Sequence, residues 1–278
     1  METGYINWLK SDKKSENTIK NYTRYIEQCL NFIQKKENEI TIKDLNDYKN
    51  SIANLSSASI ALQINAIKSY FNYLETMEII DKNPARKLTK PVVKNKLKPD
   101  MTAEDVRALL NATHSARNRA VISTLASTGM RVEELSTITN KQYAEMKAYN
   151  SRELTIVGKG NKERIIYIND IAMGYIEDYI MHKGETSGYL FESYLGNKLD
   201  VSNLNKMIKN AARSAGLRYW EDITMHTLRH AFATISNNNG VSVATISAAL
   251  GHSSLSVTTR YIHNAQTQIN NAMNSIVF

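Results

Sequence analysis

One cysteine, Cys29, stands in the 278 residues. It excludes an intramolecular disulfide and any zinc site built on several cysteines, and it suits a reducing compartment. No apolar run approaches the roughly 20 residues that a membrane span requires. The N-terminal METGYINWLK has no apolar stretch of the kind that marks a secretory signal. No long internal repeat and no low-complexity segment interrupts the chain. GKGNK at 158–162 is neither a GxGxxG fingerprint nor a P-loop, so no nucleotide-binding signature is present. These absences predict a globular chain located in the cytoplasm, without membrane contact.

What is present is apolar residues and positive charge. Hydrophobic residues make up 42% of the chain, enough for a sizeable core. The formal net charge is +8 and the pI about 9.3, which favours a polyanionic partner, nucleic acid first. The charge is uneven. Residues 1–98 hold 17 basic and 11 acidic groups, net +6, and residues 99–278 hold 18 and 16, net +2. The first part therefore supplies most of the electrostatic grip.

Hydrophobic periodicity divides the chain the same way. Residues 1–88 read as helical. Polar capping residues Ser15–Thr18 precede Ile19, Tyr22, Ile26, Leu30 and Ile33 at steps of three or four. TIKDLNDYKNSI is a shorter helix candidate, and Ile60, Ile64, Ile67, Phe71 and Leu74 form a third stripe. Between 82 and 98 lie seven basic residues and no acid: Lys82, Arg86, Lys87, Lys90, Lys94, Lys96 and Lys98. Two prolines break any long helix here, so an interdomain linker is placed at 89–100. Such a run is either a solvated tether or a segment laid along phosphates.

Residues 101–278 read as a second, mainly helical domain with one small sheet. Thr102 with Asp105 starts a helix, ARNRAVISTLASTGM ends one at Gly129, and RVEELSTI begins another. ELTIVGKGNKERIIYI has two β-branched runs around a turn and reads as a hairpin. Helices follow in IAMGYIEDYIMH, VSNLNKMIKNAARSAG, HTLRHAFATISNNNG and SVATISAALGH.

Two of the six histidines flank an arginine in HTLRH, 226–230. His226 and Arg229 are three apart and share a helix face, whereas His230, one step on, is expected to face elsewhere as scaffold. A charged arginine cannot ligate a metal. Its fork suits phosphate, and histidine can hold or donate a proton there. Arg131 follows Gly129 at a helix start. Lys159 occupies the hairpin turn, where Lys162 and Arg164 compete as phosphate contacts. His252 lies in LGHSS and Tyr261 in TTRYIH. Each of these residues alone would pass as an ordinary structural or surface group.

In this order and spacing they resemble the active site of the tyrosine recombinases, also called the phage integrase family. The strings that carry the resemblance are TGMRVEEL, GKGNKER, HTLRHAFAT, LGHSS and TTRYIH. Arg229 to His252 is 23 residues and His252 to Tyr261 is nine, as in the family. SENTIKNY, SYFNYLETMEIIDKNPA and the basic linker look like the family's helical, SAM-like core-binding domain.

The resemblance implies a core-binding domain at 1–88 and a mixed α/β catalytic domain at 101–278 that together form a clamp on duplex DNA. Tyr261 would attack the scissile phosphate, giving a 3′-phosphotyrosyl link and a free 5′-hydroxyl, without metal or nucleotide. Arg131 and Arg229 would hold the non-bridging oxygens, and His252 would add a hydrogen bond. His226 would take the tyrosine proton or orient the phosphate. Lys159 would protonate the leaving oxygen, and Glu134 would orient an active-site group. Expected partners are double-stranded DNA with inverted half-sites and further copies of the chain: a dimer on one site, a tetramer in synapsis. Integration or excision of a mobile element and Xer-type dimer resolution both fit. The competing readings are a DNA-binding protein without catalysis and a type IB topoisomerase.

After Tyr261 the tail carries Ile262, Ile269, Met273 and Ile276 at helical spacing. It packs either on its own domain or, as is common in the family, on a neighbouring protomer. If it docks in trans, deleting residues 267–278 abolishes cooperative assembly on the recombination site, measured by gel shift, and recombination with it. Wild-type levels of both would exclude trans docking.

Overall fold

The computed structural model describes residues 2–93, 100–158, 163–183 and 188–251. Contacts within it separate two units, Met1–Lys96 and Leu97–Phe278.

The first unit is a helical bundle: α1 (Glu2–Ser11), α2 (Glu16–Ile33), α3 (Ile42–Ser51) and α4 (Ser57–Thr76). The starts of α2, α3 and α4 are set by Ser15, Thr41 and Ser56, whose hydroxyls accept the N–H of the residue three further on. At α3 the Asp44 carboxylate returns a bond to the Thr41 N–H, closing a capping box. All five residues of the α4 stripe are buried. Helix α1 is not marked by periodicity, because only Tyr5 and Leu9 of it are fully buried, at 3% and 0% exposure, with Trp8 partly buried beside them. Tyr5 is buried against Tyr70 and Tyr73, and its hydroxyl donates to Ser69 Oγ at 2.9 Å. The Tyr48 hydroxyl likewise donates to Gln63 Oε1 at 2.7 Å. Each phenol buries a ring while leaving no polar atom stranded. Cys29 lies in the same core, where burial pushes its thiol up to about 12, so it stays protonated and unreactive.

The second unit begins with α5 (Ala103–Asn111), opened by the expected capping box of Thr102 and Asp105. Then come α6 (Ala116–Thr128), the single turn α7 (Val132–Leu135) and α8 (Asn140–Ala148). Helix α8 escaped the sequence reading because only Tyr143 and Met146 of it are buried, too few to mark a period. Strands β1 (Glu153–Val157) and β2 (Glu163–Tyr167) pair antiparallel with Leu154 opposite Ile166 and Ile156 opposite Arg164. After the hairpin come α9 (Asp170–Lys183), α10 (Val201–Ser214), α11 (Met225–Asn238) and α12 (Val243–Leu250). Helix α6 has seven of its 13 residues buried and none exposed, and it packs on α9 and α11. It is the central post on which the rest is assembled. The fold is therefore mainly α with one small two-stranded sheet, as its periodicity predicts. Among the described residues no helix is long and apolar enough to cross a membrane.

Helix α6 ends at Gly129, which adopts φ +62° and donates its N–H to Leu125 O at 3.0 Å. A Cβ there would lie 2.5 Å from Phe232 Cδ1 and 2.7 Å from Leu250 Cδ2. The position is doubly closed to a side chain, by backbone handedness and by the packing of α11 and α12 against the turn. Gly129→Ala should cost about 3 kcal/mol, combining a left-handed penalty of roughly 1–2 with overpacking of roughly 1–3 kcal/mol. Urea unfolding of the full chain measures it, and a loss below about 1 kcal/mol would show that the turn can relax.

Candidate active site

The turn after α6 is assembled from short-range bonds. Thr128 is buried; its hydroxyl donates to Thr124 O at 2.6 Å and accepts the Met130 N–H at 3.3 Å. Met130 is buried as an apolar anchor. Arg131 then sits at the N-cap of α7, and its backbone N–H donates to Glu134 Oε2 at 2.7 Å. Its Nη1 donates to Glu134 Oε1 at 2.8 Å, so backbone and side chain are both held by one carboxylate. The Arg131 side chain remains 29% exposed. Among the described residues its Nε and Nη2 have no hydrogen-bond partner, which leaves donors for an incoming anion.

Glu134 is 4% exposed and receives a second guanidinium. Arg164 of β2 donates from Nη1 to Oε1 at 2.8 Å and from Nη2 to Oε2 at 2.7 Å. Burial opposes the charge on Glu134. The bonds from Arg164 and from the Arg131 N–H and guanidinium outweigh it and bring its pKa from 4.5 to about 2. The expectation that Glu134 orients an active-site group concerns this carboxylate, which holds Arg131.

Arg229 lies on α11 and is 2% exposed. It donates from Nη1 to Gly129 O at 2.6 Å and from Nη2 to Leu250 O at 2.7 Å. Both acceptors end helices, α6 and α12, where carbonyls lack intrahelical donors and the helix dipole is negative. A cation is favoured there twice over. Arg229 and Arg131 thus meet at the same turn, one on the carbonyl of Gly129 and the other two residues later in the chain.

Three expectations change in detail. Arg164 was expected to lie along DNA. It points inward, with its side chain 13% exposed, because β2 alternates and Arg164 shares the face of buried Ile166 while Ile165 and Tyr167 face out at 62% and 60%. ERIIY does not show that alternation, because apolar Ile165 and Tyr167 occupy the outward face. His230 was expected to face away from His226. Four residues apart on a helix, the two rings instead meet edge to face with centroids 4.7 Å apart. Finally, His226 and Arg229, three apart on α11, differ in exposure: His226 is exposed in the first turn, while Arg229 turns inward to the α6 and α12 ends.

Of the basic residues near the end of the first unit, Lys82, Arg86, Lys87 and Lys90 are exposed. Arg86 pairs with Glu75 at 2.9 Å, and Lys90 donates to Asn65 Oδ1 at 2.9 Å. Lys94, Lys96, Lys98, Lys159, Lys162, His252 and Tyr261 lie outside the described residues, as does the tail at 262–278. Among the described residues no group of three or more His, Cys, Asp and Glu side chains stands together as a metal site.

Because Glu134 titrates far below its ordinary value, its contribution to stability is present above pH about 4.5 and is lost as pH falls toward about 2. At neutral pH that contribution is about 3 kcal/mol. Glu134→Gln leaves the largely buried Arg164 and the part-exposed Arg131 facing a neutral amide and should cost about 3 kcal/mol at pH 7. In urea unfolding, the gap between wild type and Glu134→Gln should narrow steadily from pH 5 to pH 3. A gap independent of pH would mean that the carboxylate charge is not what holds the two arginines.

Known proteins match nearly the whole chain. The model of the phage integrase family matches residues 99–268, and that of the phage integrase N-terminal SAM-like domain matches residues 5–81. Tyrosine recombinase XerD of Halalkalibacterium halodurans is 30% identical over 273 residues, covering 92% of this chain and 89% of its own. Among solved structures, XerA recombinase is 26% identical with a TM-score of 0.57, covering 100% of this chain and 98% of its own. Lambda integrase shares the fold in two assemblies. As a dimer bound to a COC′ core site it has a TM-score of 0.77 at 18% identity, covering 94% of this chain and 93% of its own. As a tetramer bound to a Holliday junction it has a TM-score of 0.76 at 17% identity, covering 94% and 75%. A SAM-like helical unit, a catalytic unit with one small sheet, and an arginine pair gathered at the end of a buried helix place this chain in the phage integrase family of tyrosine recombinases.

Proposed function

We propose that this protein is a site-specific DNA recombinase that cuts and rejoins strands through a 3′-phosphotyrosyl intermediate on Tyr261. The observation that carries the reading is the meeting of Arg131 and Arg229 at the Gly129 turn. In phosphoryl transfer, charge spreads over the non-bridging oxygens, and cations fixed in advance at those oxygens lower the barrier by several kcal/mol. Arg131, with open donors, and Arg229, on rigid helix ends, are the residues to bind them.

In this reading the phenol oxygen of Tyr261 attacks phosphorus, the 5′-oxygen leaves, and Lys159 supplies the proton to it. His252 donates a hydrogen bond to the phosphate. His226, exposed on the first turn of α11, takes the tyrosine proton or orients the phosphate. Attack by the 5′-hydroxyl of a partner strand reverses the step and completes exchange. The ester keeps the bond energy, so rejoining requires no nucleotide, and in this reading the cationic side chains act in place of a metal. The partners are double-stranded DNA and other copies of the chain, a dimer on each site and a tetramer in synapsis, as lambda integrase is seen on a core site and on a Holliday junction. Both units bind the same duplex, with Lys82, Arg86, Lys87, Lys90, Lys94, Lys96, Lys98 and Lys162 on its phosphates. Of the two biological jobs considered, resolution of the Xer type agrees with relatives named XerD. The cytoplasm is the compartment proposed.

The test is a duplex selected by the wild-type protein from a random-core oligonucleotide pool and nicked beside the cleavage point to trap the intermediate. Wild type should become covalently attached, seen as a denaturation-resistant band. Tyr261→Phe should form no such band while binding with wild-type affinity. Binding without any adduct would favour the non-catalytic reading, and relaxation of supercoiled DNA of any sequence by the monomer would favour the topoisomerase.

A further inference from the structure

We infer that Arg164 is a positioning residue for strand cleavage: it holds Glu134 and the end of α12 together, and so sets both the Arg131 guanidinium and the backbone that runs into His252. The inference rests on the recombinase reading. Its basis is a ring of bonds in which each member has a measured partner. Arg131 donates to Glu134 Oε1, and Arg164 donates to both Glu134 oxygens. The Nε of Arg164 donates to Ala249 O at 3.1 Å. One residue on, Leu250 O accepts from Arg229, which also holds Gly129 O. Gly129 is two residues from Arg131, so the ring closes.

Gly251 is part of the same device. It ends α12 with φ +63°, and a Cβ there would lie 3.2 Å from Arg164 Cδ and 3.3 Å from its Nη1. The arginine stem occupies the space beside the glycine. His252 is the next residue in the chain. Strand β2, which carries Arg164, is thereby fastened to the end of α12.

Charge gives Arg164 a second task. One carboxylate facing Arg131 alone would neutralise it and pull its guanidinium into a private ion pair. With Arg164 supplying a full fork to Glu134, the carboxylate is already balanced, and the cluster of two arginines and one glutamate keeps a net positive charge beside the Arg131 donors. Lysine could supply charge but not three donors in fixed directions, so it cannot reach both Glu134 oxygens and Ala249 O at once.

The experiment compares wild type, Arg164→Lys and Arg164→Gln on the selected nicked duplex. Three quantities are read: the single-turnover rate of adduct formation at saturating DNA, the salt dependence of binding, and amide hydrogen exchange over 128–135 and 245–251. A misplacement of the order of 1 Å lowers a rate by about 100-fold. Both variants should therefore form adduct about 100-fold more slowly at saturation, with affinity within twofold of wild type and an unchanged salt slope. Exchange should rise in those two segments only. Arg164→Gln should also gain an acid limb in its pH–rate profile that wild type does not show, because Glu134 loses its strongest partner. A salt slope shallower by about one phosphate contact, with the saturated rate intact, would instead make Arg164 a DNA contact and overturn the proposal. Full rate in Arg164→Lys would overturn the two-point fastening. If Arg164→Gln does not fold, Arg164→Lys alone decides between these outcomes. If wild type itself forms no adduct, the recombinase reading fails, while hydrogen exchange still reports whether Arg164 holds the two segments.

Discussion

A single buried carboxylate, Glu134, is the point on which the arrangement of the second unit's arginines depends. A carboxylate taken out of water is tolerated only if its oxygens are filled with strong donors. Here they are filled by the Arg131 N–H, the Arg131 guanidinium and the Arg164 guanidinium, all within 2.8 Å. Because those donors come from the turn after α6 and from β2, satisfying the carboxylate also brings the turn and the hairpin together. Electrostatic necessity thus does the work of alignment, and the group that emerges at the surface is Arg131.

Arg229 solves a related problem from the other side. Helices α6 and α12 both end beside Arg229, and their terminal carbonyls lack intrahelical donors. One guanidinium bridges Gly129 O and Leu250 O and satisfies both. A cation fixed on helix ends has little freedom to reorganise when charge develops on a bound anion. That rigidity is what preorganisation means in physical terms. The small cluster of Phe232, Ala233, Ile246 and Leu250 supports the junction with apolar packing.

Among its described residues the first unit has no comparable buried ion cluster. Its core is built from aliphatic stripes and a group of tyrosines whose hydroxyls are individually satisfied, while Lys82, Arg86, Lys87 and Lys90 stay at the surface. The division of labour suits an enzyme that must hold a long polyanion and react with one phosphate of it. Diffuse positive charge gives affinity that salt can screen, whereas positioned guanidinium groups act at contact distance.

Much of this was legible in the residues alone. Helices α2, α3, α4, α6 and α9–α12 follow from apolar periodicity with polar caps, because burial of one face and capping of one end are local requirements written in adjacent residues. The hairpin follows from two β-branched runs about a turn. Helices α1 and α8 were not legible, since each buries only two side chains. Residue types and spacing also identified Arg131, Glu134, His226 and Arg229 as the residues to watch. What only the tertiary structure decided is which partners they take. Arg164 turned from a phosphate contact into the second partner of Glu134, His230 came against His226, and Arg229 took two helix ends 121 residues apart in the chain, Gly129 and Leu250. Sequence determines which groups carry charge and which faces are apolar. The pairing of a buried charge depends on which distant segments are packed beside it, and that is settled only when the helices close on one another.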